Sequence, residues 1–420
     1  MKPGMWVNRE TRMTQWLDDH RDIALIVGLF AAFRLMWLMA YPPDSLMVYG
    51  DYPYYFNLAQ LAKQGRLPFL GYWVEYPPLF AYLCQGLYTL TGDRYFAFAT
   101  LLGLVMIAFE AGNVVMVFRL AGHVRSREGA LKLAWIYTLL FAPAFVMWHN
   151  HDVISTFFFL WAADDFLRGR SSAQKSGTTY RSAVWVGIGA MVKYFPVLLL
   201  PVVWRFRRDG RQAIIYTAIV AAVCAAVLAP FVVASPTYAI ASLRAQASKT
   251  SWQTVWALVD GNLGTGILGA AAAHVDPAAA TALQGNPPRI PPFILFVLFG
   301  GLYLWIWFKL GSPLSSARFM ALTAVTLVVF FLWSKGWSPQ WLVMLIPFVL
   351  MALPLGRALL YILTLTMINL AEWPVLLSRG MNQYLYLTVP LRTVLFVLLL
   401  VELIQAMRGK PVEGAIERHP

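Results

Sequence analysis

Charge is scarce in this chain, and acidic charge is scarcest. Of 420 residues, 13% are charged, and only 20 are Asp or Glu against 33 Lys or Arg. A soluble fold that is 59% hydrophobic could not cover its own core, whereas a polytopic membrane protein has lipid as part of its solvent. Cysteine is nearly absent too. Cys84 and Cys224 lie in apolar helical surroundings, which supports neither a disulfide framework nor a thiolate metal site. There is no internal repeat and no stretch that reads as a separate soluble domain. No small-residue cleavage site follows the first apolar run before Pro42 and Pro43, so the first span is expected to stay as an anchor. A net charge of +13 would suggest nucleic acid in a soluble protein. Here the basic residues sit in short loops between apolar segments, the pattern that orients membrane proteins.

What the chain does have is apolar segments of spanning length. They lie near residues 23–40, 95–118, 131–147, 153–167, 212–233, 292–308, 319–333, 341–353, 358–373 and 389–407. The expected fold is an all-α polytopic membrane protein of about 10 full transmembrane helices within a single domain, 23–407. Arg9, Arg12 and Arg21 place the segment 1–22 in the cytoplasm, and Arg408, Lys410 and Arg418 place the tail 408–420 there. The intervening basic loops follow suit, at Arg119–Lys132, Arg168–Arg181 and Arg205–Arg211.

Two consequences follow from that charge pattern. Only one crossing fits between residues 40 and 119, so Leu79–Thr91 reads as a helix in the outer interface, within a first outer loop 41–94. Residues 182–204, basic on both flanks, are expected to leave and return to the same face, the alternative being a single long span with one loop that breaks the charge pattern. A half-depth helical hairpin is expected, with its tip at Lys193-Tyr194-Phe195-Pro196, where proline breaks the helix. Irregular backbone at that depth needs protein or water around it, which implies a cavity. A long outer loop, 234–291, is rich in Ala, Gly and Pro and is expected to be partly mobile.

The candidate chemistry collects on the outer side. Asp51 stands in Gly50-Asp51-Tyr52-Pro53-Tyr54-Tyr55-Phe56, either as the cap of an interfacial helix or as a base. The flanking rings of Tyr54, Tyr55 and Tyr76 offer faces to hold a sugar. Glu75, ahead of Tyr76-Pro77-Pro78, is a capping or an acceptor-binding carboxylate. His149, Asn150, His151 and Asp152 could hold a metal, bind a phosphate or sugar, or simply solvate the loop. Their spacing is loose and no second ligand cluster joins them, so metal is not the favoured reading, and no cofactor is expected. Lys193 and Lys335 are costly cations that either meet a lipid phosphate or snorkel to the headgroups. Arg289 and Arg379 are weaker candidates of the same kind. Trp337 and Gln340 flank Lys335 and complete the sugar- or acceptor-binding candidates. Arg34 and Glu110, inside spans, read as a structural ion pair.

These motifs, in this order, resemble the polyprenyl-phosphate-sugar-dependent glycosyltransferases of the GT-C superfamily, in their bacterial mannosyltransferase-like branch. The matching pieces are Gly50-Asp51-Tyr52 with Tyr54-Tyr55, Glu75-Tyr76-Pro77-Pro78-Leu79, the His149–Asp152 turn, Met191-Val192-Lys193-Tyr194-Phe195-Pro196, and Ser338-Pro339-Gln340-Trp341. The likeness runs over most of residues 20–350. It implies inverting transfer of a sugar, mannose by family weight, from a polyprenyl phosphate to an acceptor hydroxyl on the extracytoplasmic face of a bacterial plasma membrane. The acceptor would be a glycolipid, glycan or protein. Asp51 would be the base, with Lys335, Lys193, His151 and Arg289 near the donor phosphate. Many members carry two acids in this loop; here only Asp51 stands in the motif, which argues against paired acids on a metal. The competing reading is a transporter or flippase of a lipid-linked or anionic substrate, which would also need a polar cavity and buried lysines.

Overall fold

The computed structural model describes residues 4–40, 50–140, 150–171, 176–207, 209–266, 269–282, 284–311 and 314–408. Helices α1 (Gly4–Ala40), α2 (Tyr52–Ala59), α3 (Pro78–Thr91), α4 (Tyr95–Ala121) and α5 (Arg127–Leu139) form the first part. Then come α6 (Asp152–Ser171), α7 (Ser176–Val192), α8 (Leu200–Phe206), α9 (Gly210–Ala234), α10 (Pro236–Ser248) and α11 (Val255–Asp260). The last part is α12 (Pro292–Lys309), α13 (Ser316–Trp333), α14 (Leu342–Ala352), α15 (Leu355–Leu370) and α16 (Leu385–Arg408). The fold is all-α. Among the described residues, extended pairing is confined to the single bridges Pro68–Tyr72 and Trp252–Gly336.

Local chemistry sets the helix ends. Proline opens α3, α10 and α12, where its missing N–H costs nothing. Ser126, Asp209, Thr254 and Ser315 cap α5, α9, α11 and α13 by accepting first-turn backbone N–H groups.

Seven helices among the described residues are long and apolar enough to cross a membrane unaided, which makes the chain an integral membrane protein. Of the other expected spans, 131–147 lies partly outside the described residues, and the remaining two differ for a physical reason. Helix α6 carries Asp164 and Asp165, and α14 has 11 residues, every one of them buried. Such helices are surrounded by protein rather than lipid, so they need neither full length nor an apolar surface. Asp164 accepts from Arg168 and His123 and pairs with Arg119 at 2.6 Å; Asp165 holds Arg181 by two bonds of 2.7 and 2.8 Å. Basic residues that mark topology in the sequence thus also tie α4, α6 and α7 together. Arg34 and Glu110 do pair, at 3.2 Å and fully buried, joining α1 to α4.

The hairpin forms, but it is deeper than half. Helix α7 begins at Ser176, six positions ahead of the expected start, and 17 residues rise roughly 25 Å. Its tip reaches the first turn of α6, where Ser155 Oγ donates to the Lys193 carbonyl at 3.4 Å. The return limb is a 3₁₀ segment, Phe195–Leu199, followed by α8; the 3₁₀ portion gains about 2 Å per residue. It ends where Arg207 lies over the rings of Tyr180 and Tyr216, 5.6 Å from each, beside the start of α7. Gly189 makes the tight closure possible: a Cβ there would sit 2.9 Å from Pro196 Cγ and 2.7 Å from Phe158 Cβ.

The 234–291 loop carries regular structure among its described residues. Besides α10 and α11 it contains 3₁₀ turns at Ala271–Val275 and Pro277–Thr281, and it is fastened to the first loop. His274 stacks on Trp73 at 3.8 Å, and its Nδ1–H donates to the Trp73 carbonyl at 2.8 Å. Val74 N–H donates to Ser242 Oγ, and Gln246 donates to the Glu75 carbonyl, each at 3.0 Å.

Candidate active site

The clamped loops roof a cavity of about 880 Å³. Its walls come from the start of α2, the Glu75–Pro77 bend, the hairpin tip, the end of α10 and the Ser334–Trp341 turn. Aromatic rings line much of it, including Tyr76, Phe195, Trp252, Phe330 and Trp341. Two carboxylates, Asp51 and Glu75, and three lysines, Lys193, Lys249 and Lys335, also face it.

Each lysine already has a counterpart. Lys193 donates to both oxygens of Asp152, at 2.7 and 2.8 Å. Lys249 is paired with Glu75. Lys335 donates to the carbonyls of Ala247 (2.8 Å) and Lys249, the free C-terminal end of α10, where the helix dipole favours a cation. Burial, and then the Lys249 charge, lower the Lys335 pKa. The turn bearing Lys335 is pinned because Trp252 N–H donates to the Lys335 carbonyl and Trp337 N–H to the Trp252 carbonyl, both at 3.1 Å. Gly336 is required there, since a Cβ would overlap the Trp252 ring.

Asp51 differs from the other acid. Its side chain makes no cap bond to α2, which disposes of the capping alternative. Its Oδ2 instead accepts from Tyr55 Oη at 3.3 Å, and Tyr55 Oη lies 3.1 Å from His151 Nδ1. Burial raises the Asp51 pKa, opposed by the Lys193 charge and the Tyr55 hydroxyl. Burial also raises the Glu75 pKa, with Lys249 pulling it down. Asp51 is therefore a carboxylate of strengthened basicity facing open space, with a phenol behind it.

The structure brings Asp51, Glu75, Tyr76, Lys193, Lys335 and Gln340 to one cavity. Tyr55 and Asp152 stand behind that wall as supports for Asp51 and Lys193. Several sequence candidates belong elsewhere. His151 is 1% exposed and stacked on Phe80 at 4.2 Å, off the cavity wall, and burial, then the Lys193 charge, hold its pKa well below normal. Tyr54 turns away to His274 Nε2 at 3.3 Å. Trp337 is buried, donating to Asn369 Oδ1 at 3.2 Å beneath the Arg392 guanidinium. Arg289 is exposed and away from the cavity walls, its backbone N–H bonded to Asp260. His149 lies outside the described residues. Among the described residues, no three His, Cys, Asp or Glu side chains gather in a way that could hold an ion.

Lys249 is the functional candidate that sequence reasoning missed. A signal was present: Lys249 precedes Trp252 in an otherwise small-residue loop, much as Lys335 precedes Trp337. Asn150, from the polar turn already singled out, also faces the cavity, as do Gln246 and Gln253, which nothing in their local sequence marks.

Comparisons with known proteins add the following. The family model for glycosyltransferase family 87 matches residues 73–334. That stretch holds Glu75, Lys193 and Lys249; Asp51 and Lys335 flank it and join it through the cavity. No curated protein matches the chain. Among solved structures, the apo oligosaccharyltransferase of Archaeoglobus fulgidus is similar at 13% identity, with a TM-score of 0.47, over 96% of this chain and 57% of that one. The chain thus spans little more than half the length of that enzyme. ArnT from Cupriavidus metallidurans, bound to undecaprenyl phosphate, is similar at 14% identity, with a TM-score of 0.49, over 91% of this chain and 77% of that one. The family match agrees with the motif resemblance. The chain belongs to glycosyltransferase family 87.

Proposed function

We propose that the cavity transfers a sugar, with inversion, from a polyprenyl-phosphate donor to an acceptor hydroxyl at the extracytoplasmic face, with Asp51 as general base. The observation that carries this is the placement of an uncapped, pKa-raised carboxylate in the same cavity of about 880 Å³ as Lys193 and Lys249. In the reaction, Asp51 takes the acceptor O–H proton while that oxygen attacks the anomeric carbon. The bond from the anomeric carbon to phosphate breaks, and its electron pair leaves on the phosphate oxygen. A base of raised pKa suits this step, because proton transfer is most effective when the pKa approaches the working pH.

Developing charge on the leaving phosphate is met by cavity lysines already fixed in place, so little reorganisation accompanies the reaction. Lys193 and Lys249 are held by Asp152 and Glu75, whereas Lys335 is held by the carbonyls at the end of α10 with no carboxylate against it. The aromatic wall around Phe195, Phe330 and Trp341 suits the first isoprene units, and Tyr76 and Gln340 suit the sugar and the acceptor. Cationic charge comes from lysine in this scheme, and no metal has an assigned role. Mannose is the sugar to which the motif resemblance points.

The test is incubation of the purified protein with a panel of polyprenyl-phosphate sugars and a lipid extract. A product heavier by one hexose, formed from the mannosyl donor and absent without the lipid phosphate, is expected. Transfer from nucleotide sugars alone would overturn the proposal.

A further inference from the structure

A second cavity, of about 230 Å³, lies at the opposite end of α13 from the active site. Arg318, on its wall, is fifteen residues from Trp333, roughly 22 Å along the helix. Three of its lining residues are cationic: Lys309 at the end of α12, Arg318 at the start of α13 and Arg408 at the end of α16. Among the described residues, no acidic side chain lines it. The nearest acid along α16, Glu402, is bonded to Arg357 of α15 at 2.7 Å. The rest of the wall is mostly apolar, with Ile306, Leu310, Ile404 and Met407.

Two further features favour an anion there. The carbonyl end of α12 would repel one, but Arg205 covers it by donating to the carbonyls of Trp307 (3.1 Å) and Leu310. Arg318 is held in place, its Nη1 donating to the Gly311 carbonyl at 3.0 Å. Beside the cavity, α12 turns Trp305 and Phe308 outward, 50% and 72% exposed, and Arg408 lies 5.9 Å from the Trp305 ring. An anion with acyl chains fits this mixture better than a free one, because the chains can lie along those rings while cations meet the head.

We infer that this cavity binds the phosphate headgroup of an anionic membrane phospholipid, at a site separate from sugar transfer. Such a lipid would tie together α12, α13 and α16, three helices whose ends meet around a void.

The test uses the purified full chain. Retained lipid is read by native mass spectrometry, and melting is followed in phosphatidylcholine vesicles with and without phosphatidylglycerol, and with added inorganic phosphate. The wild type is expected to retain phosphatidylglycerol selectively and to melt higher with it, whereas inorganic phosphate gives no protection. A triple variant, Lys309→Gln with Arg318→Gln and Arg408→Gln, should lose about fivefold in affinity per cation removed. Because that variant could misfold, Gly311→Trp provides an independent arm. Gly311 lines the cavity and a Cβ there meets no described atom within 4 Å, so tryptophan adds bulk at the cavity wall and keeps every charge. Loss of retained lipid in Gly311→Trp, with retention in a Lys132→Gln control, supports the site. Equal retention in Gly311→Trp, no preference between vesicles, or equal protection by inorganic phosphate would overturn it.

Discussion

Replacing Asp51 with Asn removes the proposed proton acceptor and very little else. The amide oxygen can still accept from Tyr55, and Lys193 keeps its two bonds to Asp152, so the cavity should keep its shape. A positioned general base is worth about 10²–10⁴ in rate, or roughly 3–5 kcal/mol of transition-state stabilisation. The turnover rate should fall by that factor while donor KM changes little, measured as the initial rate of hexose transfer by purified protein. Stability supplies an internal control. The folded Asp51 has its pKa raised, so its stabilising contribution is full below the unfolded value and is lost as pH rises through the folded one. At neutral pH the charged carboxylate is therefore a net cost, and Asp51→Asn should melt no lower than wild type. The carboxylate is the active form, so the wild-type rate should climb with pH through a limb above the usual carboxylate range. An Asp51→Asn protein that folds normally and turns over at the wild-type rate would refute this reasoning.

Three other outcomes follow from named contacts. Tyr55→Phe removes the hydroxyl that lowers the Asp51 pKa; the acid limb of the rate profile should move to higher pH, and an unmoved limb would show that the 3.3 Å contact has no electrostatic weight. Arg34→Met leaves Glu110 buried without its cation and should cost about 3–5 kcal/mol, much of it recovered when Glu110→Gln is added; additive losses in thermal melts would contradict that coupling. His274 is fully buried with its pKa lowered to about 4, against 6.5 for a free imidazole. Its contribution, about 3 kcal/mol, is therefore present above pH 6.5 and lost as pH falls toward 4. Hydrogen exchange across 271–281 should quicken between pH 7 and pH 5, and His274→Ala should abolish that dependence.

Much of the candidate site was legible because membrane sequences make polar residues conspicuous. Asp51, Lys193 and Lys335 each stand out against apolar flanks, and all three face the cavity. His151 stood out equally, yet it is a buried support. Its polarity was visible in the sequence, but the Phe80 and Tyr76 rings that enclose it come from a distant helix and bend. Lys249 went unread because its importance lies in pairing with Glu75, across most of the intervening chain.

The sequence by itself determined the membrane class, the helix ends set by proline and capping residues, the position of the hairpin tip, and the Arg34–Glu110 pair. These depend on local backbone chemistry, or on the cost of leaving charge in hydrocarbon, and both are readable one segment at a time. Tertiary structure alone decided which lysine meets which carboxylate, how deep the hairpin reaches, and that the small-residue loop docks as a roof. Those outcomes depend on compensation between groups far apart in the chain, and no local pattern carries that information.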